Sequence, residues 1–435
     1  MNGKKILKAA FLMFTIVFIS SVSSGNAYAK KNYTVTPKKV EKMAKKNYNT
    51  IYTKYTKHYL GLNVYLEKMG KAGGGKLTIK KGTYIISNSI YVPSNVTIVF
   101  NKGVVFKKIN KTGTTYKASG SMWQLCPRDK SKKKNSIGKY NGSKNVTFKS
   151  KGKVVFDMQH IDGITIVSAH NQNVDISGIT FKNMNGNHYI EVNGTKNAYI
   201  HDCTFLKAKK STLKKYYAKE AINIDLADEK THGLPLGWVK KDKTPCLNIK
   251  IEKNVFDGTT RGVGTHKFSQ DSKGNNVYHT NITIKNNVFK NIYDNGVFIL
   301  NWKNTTITNN KFENIGTSND KSYSSGAHGI AGGGVVGINI TDNSFSKIKR
   351  NAIYFVIQQN VGAGSEYKKI GVNITKEETE AMLKNTVSQC GDDMNDIFAG
   401  YDVLYFRGTG QRSKSNAVGV NISTGEINYD FTIKK

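Results

Sequence analysis

Cysteine and proline are scarce in this chain, with 4 and 5 among 435 residues. So few prolines exclude a collagen-like chain or a proline-rich linker, and four cysteines exclude a disulfide-dense scaffold. Cys126, Cys203, Cys246 and Cys390 lack zinc-ligand spacing, and one or two disulfides of open pairing are the most they are expected to form. Arginine is also rare for so basic a protein. Of 66 Lys and Arg residues only Arg128, Arg261, Arg350, Arg407 and Arg412 are arginines. Proteins that read a base sequence rely on the bidentate arginine fork, so specific nucleic-acid recognition is not expected. Acidic residues number 30, which leaves a formal net charge of +36 carried almost wholly by scattered lysines. Such a coat attracts polyanions without selecting among them, and outside a cell those are acidic polysaccharides and wall polymers.

Long apolar runs are missing except at the extreme N-terminus, so no mature membrane span is expected. Lys4, Lys5 and Lys8 precede the apolar stretch Ala9–Val22, and Ala27 and Ala29 follow as small residues. That order reads as a secretory signal over residues 1–29. The mature chain is expected to begin near Lys30, to be exported, and to be retained on a cell wall by its charge.

What is present is a repeat. Short strands of alternating hydrophobicity recur with Asn, Gly and Asp between them, as in Val174–Phe181, Ala198–Phe205, Leu247–Phe256, Asn281–Phe289, Asn304–Phe312 and Gly337–Phe345. The closing phenylalanines fall 24, 51, 33, 23 and 33 residues apart. A base period in the low twenties with insertions signals a β-solenoid, in which each coil buries its face on its neighbours. Phe181, Phe205, Phe256, Phe289, Phe312 and Phe345 are therefore expected to stack inside. Asn254, Asn287, Asn310 and Asn343, two positions earlier, are expected to form an amide ladder at a turn.

A second strand follows in each coil. Aligned on its first inward aliphatic residue (Ile164, Ile190, Ile222, Val263, Val297, Ile330, Ile353), alternation turns the residues one and three positions later outward. The first outward column reads Thr165, Glu191, Asn223, Gly264, Phe298, Ala331, and the second reads Val167, Asn193, Asp225, His266, Leu300, Gly333. Charge is confined to the middle coils, unlike a solvated face. At the start of these strands stands another polar column of Asp162, His188, Glu220, Arg261, Asn295 and His328. Its alternating charge fits either a stacked ion ladder or one wall of a binding groove.

Residues 30–72 read as an N-terminal helical cap, with helix over Pro37–Met69, ahead of the opening strands Gly73–Tyr84 and Ile90–Phe100. With this glycine-rich opening the chain resembles the pectate-lyase superfamily of right-handed parallel β-helix proteins, over about Gly73–Ile357. The resemblance implies an all-β fold over residues 73–360. Residues 361–435 are then an α+β extension whose acidic stretch Glu377–Asp396 looks helical. The superfamily contains hydrolases, lyases, epimerases and tailspikes, so the fold does not choose a reaction. The polygalacturonase-like pattern is not supported, since only Ala327–Gly329 matches and the repeat has no Asp-Asp pair.

Placed on such a coil, Glu191 and Asp225 lie roughly 8 Å apart along the backbone. Inverting glycosidases hold their carboxyl groups about 6.5–9.5 Å apart. These two residues are expected to divide acid and base roles in glycoside hydrolysis of an acidic polysaccharide. His266, expected opposite Asp225, and His188 would orient or protonate, and Glu220 joins them at the corner. Arg261 or Lys267 would grip a substrate carboxylate, and Asn193 and Asn223 would bind sugar hydroxyls. Trp238, in the insertion Ala227–Pro245, and Trp302 would stack on sugar rings. The hydrolase needs no cofactor. Lyase or epimerase action on uronates is the alternative, and the resemblance then implies calcium held by Glu220, Asp225 or Asp228. A third reading is a non-catalytic adhesin that binds glycans through its lysines.

Overall fold

The computed structural model describes residues 29–208, 219–316 and 326–391, with three further strand segments at 404–407, 417–421 and 425–428. The proposed signal segment lies outside the described residues, apart from Ala29. The architecture is the expected right-handed parallel β-helix, in which each coil contributes strands to a 20-stranded and a 10-stranded sheet. No helix among the described residues is long and apolar enough to cross a membrane.

The coil repeats because two side-chain columns fill its interior. Phe181, Phe205, Phe256, Phe289, Phe312 and Phe345 pair in register through consecutive strands. Their rings stack 5.0, 4.8, 4.7, 4.7 and 4.8 Å apart and within 9° of parallel. That spacing is the strand separation itself, so rings and backbone share one period. Before each turn Lys253, Asn286, Asn309 and Asp342 take φ of 54–58°. This left-handed kink turns the next residue inward. Asn287, Asn310 and Asn343 then accept the backbone N–H of the previous coil's asparagine, Asn254 accepts that of Cys203, and all four donate to buried carbonyls.

A second asparagine ladder, on the outside, was not anticipated. Asn95, Asn145, Asn173, Asn197, Asn248, Asn281 and Asn304 all take φ of 53–60°. Their amides join at 2.8–2.9 Å, opening to 3.5 Å at the last step. Its sequence signal was the asparagine that opens several repeats.

Three expectations need correction. The first coil of the site-bearing sheet is two residues out of register, because Ile166 and not Ile164 pairs with Ile190. Ile166 is set by its other neighbour, Trp123. A two-residue slip preserves which face each side chain occupies, so the alternation survives and only the column membership changes. Val167 and Ala169, not Thr165 and Val167, precede Glu191 and Asn193. The N-terminal helix is two helices, Pro37–Asn47 and Lys57–Lys71, crossing where Gly61 leaves no room for a side chain beside the Val40 carbonyl. Among the described residues, the acidic C-terminal stretch is α-helical over Lys376–Ala381, behind a Thr375–Glu378 capping box, and ends in a 3-10 turn over Met382–Lys384, while residues 392–396 lie outside the described residues. Thr386–Cys390 then forms a further strand of the 10-stranded sheet, Val387 lies opposite Phe345, and Asn385 extends the buried ladder. The repeat therefore continues beyond residue 360. All four cysteines are free, so no disulfide forms.

Truncating a buried ladder amide strands partners on both adjacent coils. Asn287→Ala is expected to cost about 2–3 kcal/mol. Asn281→Gly, which keeps the backbone conformation on the exposed ladder, should cost about 1 kcal/mol or less. Urea denaturation midpoints of the two variants give the comparison, and equal losses would contradict the assignment.

Candidate functional site

The site is built on three adjacent strands, Ile190–Asn193, Glu220–Asp225 and Arg261–Gly264. Ile190, Val192, Ile222, Ile224 and Val263 anchor them in the core. Alternation sends Glu191, Asn193, Asn223 and Asp225 to the other face, with Glu191 opposite Asn223 and Asn193 opposite Asp225. These outward residues are not bathed in solvent. Glu191 is 3% and Asp225 6% exposed. Two small apolar clusters flank them, one joining Val167 and Ala169 to Trp238 and Val239, the other joining Phe268 and Leu300 to Tyr367 and Ile370.

Burial decides how the two carboxyls behave. Glu191 accepts from the Asn193 amide at 3.0 Å and from the Asn223 amide at 2.8 Å. The same Asn223 nitrogen reaches Asp225 at 3.4 Å, and the Leu226 backbone N–H donates to the other Asp225 oxygen at 2.7 Å. Because one nitrogen serves both, the facing oxygens cannot be further apart than the sum of those two amide contacts. That limit, 6.2 Å, falls below both the roughly 8 Å backbone spacing expected and the about 6.5–9.5 Å that inverting glycosidases keep to admit a water, since both side chains lean toward Asn223. Burial, and then the charge on Glu191, push the Asp225 carboxyl well above the usual range. The arrangement sets a carboxyl of raised proton affinity against a second, charged one. The Oδ1 atoms of Asn193 and Asn223 have no hydrogen-bond partner among the described residues.

A second group lies at the strand-start corner. Arg261 donates to Glu220 at 2.9 Å and to Asp294 at 2.5 Å, and its guanidinium lies 4.2 Å from the centre of the Phe298 ring. Burial pushes Glu220 up, but Arg261, then His266 and His188, outweigh it and hold the group at about 2. Glu220 is thus a permanent anion, and the ion-ladder reading describes it. His188 Nδ1 donates to the Glu220 carbonyl at 2.8 Å, which leaves Nε2 facing Glu191 at 3.8 Å.

Several expected contacts are not made. His266 does not meet Asp225, because the strand ends at Gly264 and the chain turns away. Its ring instead lies 3.9 Å from Glu220 and accepts from the Lys219 ammonium at 3.2 Å. Burial, with Lys219 adding to it, pushes this imidazole down to about 3, so it is neutral. Trp238 and Trp302 are not sugar platforms. They are 2% and 0% exposed, and their indole N–H groups donate to Gln124 and Thr265 inside the protein. Lys267 donates to the Val361 carbonyl. The donors named for calcium do not fit an ion. Arg261 holds Glu220, the Tyr367 hydroxyl holds Asp228 at 2.5 Å, and among the described residues no three acidic, His or Cys side chains group as ligands. Asp294 and Lys219 were missed, although each stands next to a residue of the strand-start column.

None of the known protein-family models matches the chain. In sequence, it is 24% identical over 261 residues to the plasmin and fibronectin-binding protein A of Streptococcus pneumoniae, covering 55% of this chain and 35% of that protein. The chain thus spans about a third of that relative's length. Two solved structures of PfbA, a surface adhesin of Streptococcus pneumoniae, resemble it. One has a TM-score of 0.54 at 17% identity, covering 77% of this chain and 82% of the other. The second has a TM-score of 0.50 at 15% identity, covering 75% and 84%. These likenesses show the fold.

The Glu220 ion group makes its own forecast. Its folded value of about 2 lies below its ordinary 4.5, so its contribution is complete above pH 4.5 and vanishes as pH falls through 2. Glu220→Gln is expected to lose about 3–5 kcal/mol at pH 7, since Arg261 stays buried with one of its carboxylate partners gone. Denaturation at pH 7 and pH 3 should show the difference from wild type shrinking in acid. A constant difference would contradict the ion assignment.

Proposed function

We propose that this is an extracellular β-helix enzyme that hydrolyses a polysaccharide with Asp225 and Glu191 as its catalytic carboxyl pair. One observation carries the reading. Two buried carboxyls share one amide, and burial with the neighbouring charge raises the proton affinity of Asp225 beside Glu191. A proton donor beside a carboxylate nucleophile needs this split in proton affinity, and a low-dielectric wall is the usual way to obtain it. Asp225 gives its proton to the glycosidic oxygen as the bond breaks. Glu191, steadied by Asn193 and Asn223, attacks the anomeric carbon as that bond breaks, and the ionised Asp225 then takes the proton of the water that hydrolyses the glycosyl–enzyme bond, the double displacement that closely spaced carboxyls perform. The unpartnered Oδ1 atoms beside it are acceptors for that water or a sugar hydroxyl. His188 positions Glu191 from the side, and the Glu220–Arg261–Asp294 group fixes His188 in turn.

A second reading is an extracellular adhesin. It is favoured by the sequence likeness to a plasmin- and fibronectin-binding surface protein and by the +36 charge. It needs no proton transfer, so the two separate cleanly.

Asp225→Asn and Glu191→Gln should each lower kcat by about a hundredfold to ten-thousandfold while leaving the fold intact. Reducing ends released from a panel of acidic and neutral polysaccharides are the measure, with ultraviolet absorbance alongside. Unchanged turnover in both variants sinks the pair, and new absorbance indicates β-elimination instead. Wild type that binds but releases nothing supports the adhesin.

Protonation also sets a pH limit. Activity should fall as pH rises through the elevated Asp225 value, and Glu191→Gln, by removing the charge that raises it, should move that limb of any residual activity toward acid. An acid buried with a raised pKa weakens the fold above its ordinary 3.8. Asp225→Asn should therefore raise the melting temperature at neutral pH, and a lower one would contradict the burial argument.

A further inference from the structure

The lysine coat is not even. Over residues 128–134 five of seven side chains are basic, and no other seven-residue stretch of the chain holds as many. Arg128 is taken up by Glu67 and the Tyr48 hydroxyl. Lys130, Lys132, Lys133 and Lys134 are exposed and form no ion pair with the described residues. Elsewhere lysines are answered singly, as Lys57 is by Glu41, Lys182 by Asp157 and Lys290 by Asp257.

The fold brings two more exposed lysines to this run and ties them there. The Asn135 N–H donates to the Gly237 carbonyl, and Ile137 pairs with Val239 as a parallel bridge. His170 then spans the two backbones, its ring nitrogens 2.7 and 2.9 Å from the carbonyl oxygens of Lys139 and Lys240. Gly138 leaves room for the Lys240 stem, since a Cβ there would come within 2.9 Å of that side chain. Beneath lies the apolar cluster of Ile137, Val167, Trp238 and Val239. Nearby carboxylates do not cancel the charge. Asp242 accepts from the Lys139 N–H and from Thr244, and Glu229 pairs with Lys241. Asp129 is the one acid within residues 128–140.

An ammonium binds phosphate oxygens as a point charge, without the fixed orientation by which a guanidinium fork matches a planar carboxylate. Several ammoniums on one tied surface suit a flexible chain that repeats a phosphate in every unit. The surface offers no exposed ring for bases to stack on. Trp238 is buried, and the half-buried Tyr140 spends its hydroxyl on the Pro245 carbonyl. Single-stranded nucleic acid binding depends on such rings, so a polymer without bases fits better. We propose that Lys130, Lys132, Lys133, Lys134, Lys139 and Lys240 form a docking belt for a base-free phosphodiester polymer of the poly(glycerol phosphate) type. The belt makes no use of the carboxyl pair. It is the place where retention on a cell wall, expected above from charge alone, is made.

The test follows the whole protein binding fluorescent poly(glycerol phosphate), by anisotropy over a salt series. A single-stranded oligonucleotide and an oligogalacturonate of equal charge run beside it. Two variants that lose the same charge are compared. One combines Lys130→Gln, Lys132→Gln, Lys133→Gln and Lys134→Gln. The other combines Lys149→Gln, Lys250→Gln, Lys303→Gln and Lys347→Gln, at exposed lysines on other strands. Wild type should bind the glycerol phosphate chain most tightly. The belt variant should lose roughly tenfold or more, and its slope of log affinity against log salt should flatten by about 2–3. The control variant should change by less than about twofold. Equal losses in the two variants return the charge to a diffuse coat and overturn the belt, and so does an unchanged belt variant or no binding of the chain. Oligonucleotide bound as tightly overturns the base-free assignment, and oligogalacturonate bound as tightly overturns the phosphate assignment. None of these readouts involves turnover, so loss of the hydrolase reading leaves the belt standing.

Discussion

Stacking of one coil on the next, strand over strand in register, is the constraint on which everything else depends. It gives each side chain two fixed neighbours about 4.8 Å above and below, of the same column and facing the same way. Inside, this spacing suits phenylalanine rings and asparagine amides, which repeat along the axis at the same interval. Outside, it forces unlike groups into contact whenever adjacent coils carry different residues. The diagonal from Glu191 through Asn223 to Asp225 is such a forced contact, and so is the step from Glu220 to Arg261.

These forced contacts divide into two chemistries by their partners. Glu220 meets a guanidinium and two imidazoles, so burial is overcome and the group stays ionised. Asp225 meets another carboxyl and two amide donors, so burial wins and its proton affinity rises. The two acids begin and end the same six-residue strand and differ only in what the adjacent coils place beside them. Function on this scaffold is a matter of which rungs carry mismatched charge. The long interior columns hold the rungs steady enough for the mismatch to persist.

Much of this was legible in the sequence, for a physical reason. A solenoid writes its core as a periodic signal, so Phe181 to Phe345 and Asn254 to Asn343 announced themselves by spacing alone. Alternation then placed Glu191 and Asp225 on one face. What stayed hidden lay where the period is broken. The 42-position step from Phe345 to Val387 concealed the further coil that Asn385 extends. The chain leaves the sheet after Gly264, which sends His266 to Glu220 rather than Asp225. Trp238 and Trp302 looked like exposed platforms because sequence gives composition, not the Gln124 and Thr265 acceptors that hold them inside. The Ile166 register was lost to a slip that leaves the alternation unchanged, so no pattern of polar and apolar residues betrayed it.

The central claim is that Asp225 holds its proton because Glu191, tied to the same amide, holds charge. Carbon-13 resonance of the side-chain carboxyls, followed through a pH titration and assigned by comparing wild type with Asp225→Asn and Glu191→Gln, reads this directly. The account predicts that the Asp225 signal titrates well above the ordinary aspartate range and moves back toward it when Glu191 is neutralised. An Asp225 carbon that titrates like that of an exposed aspartate, and does not respond to the Glu191 substitution, would contradict it.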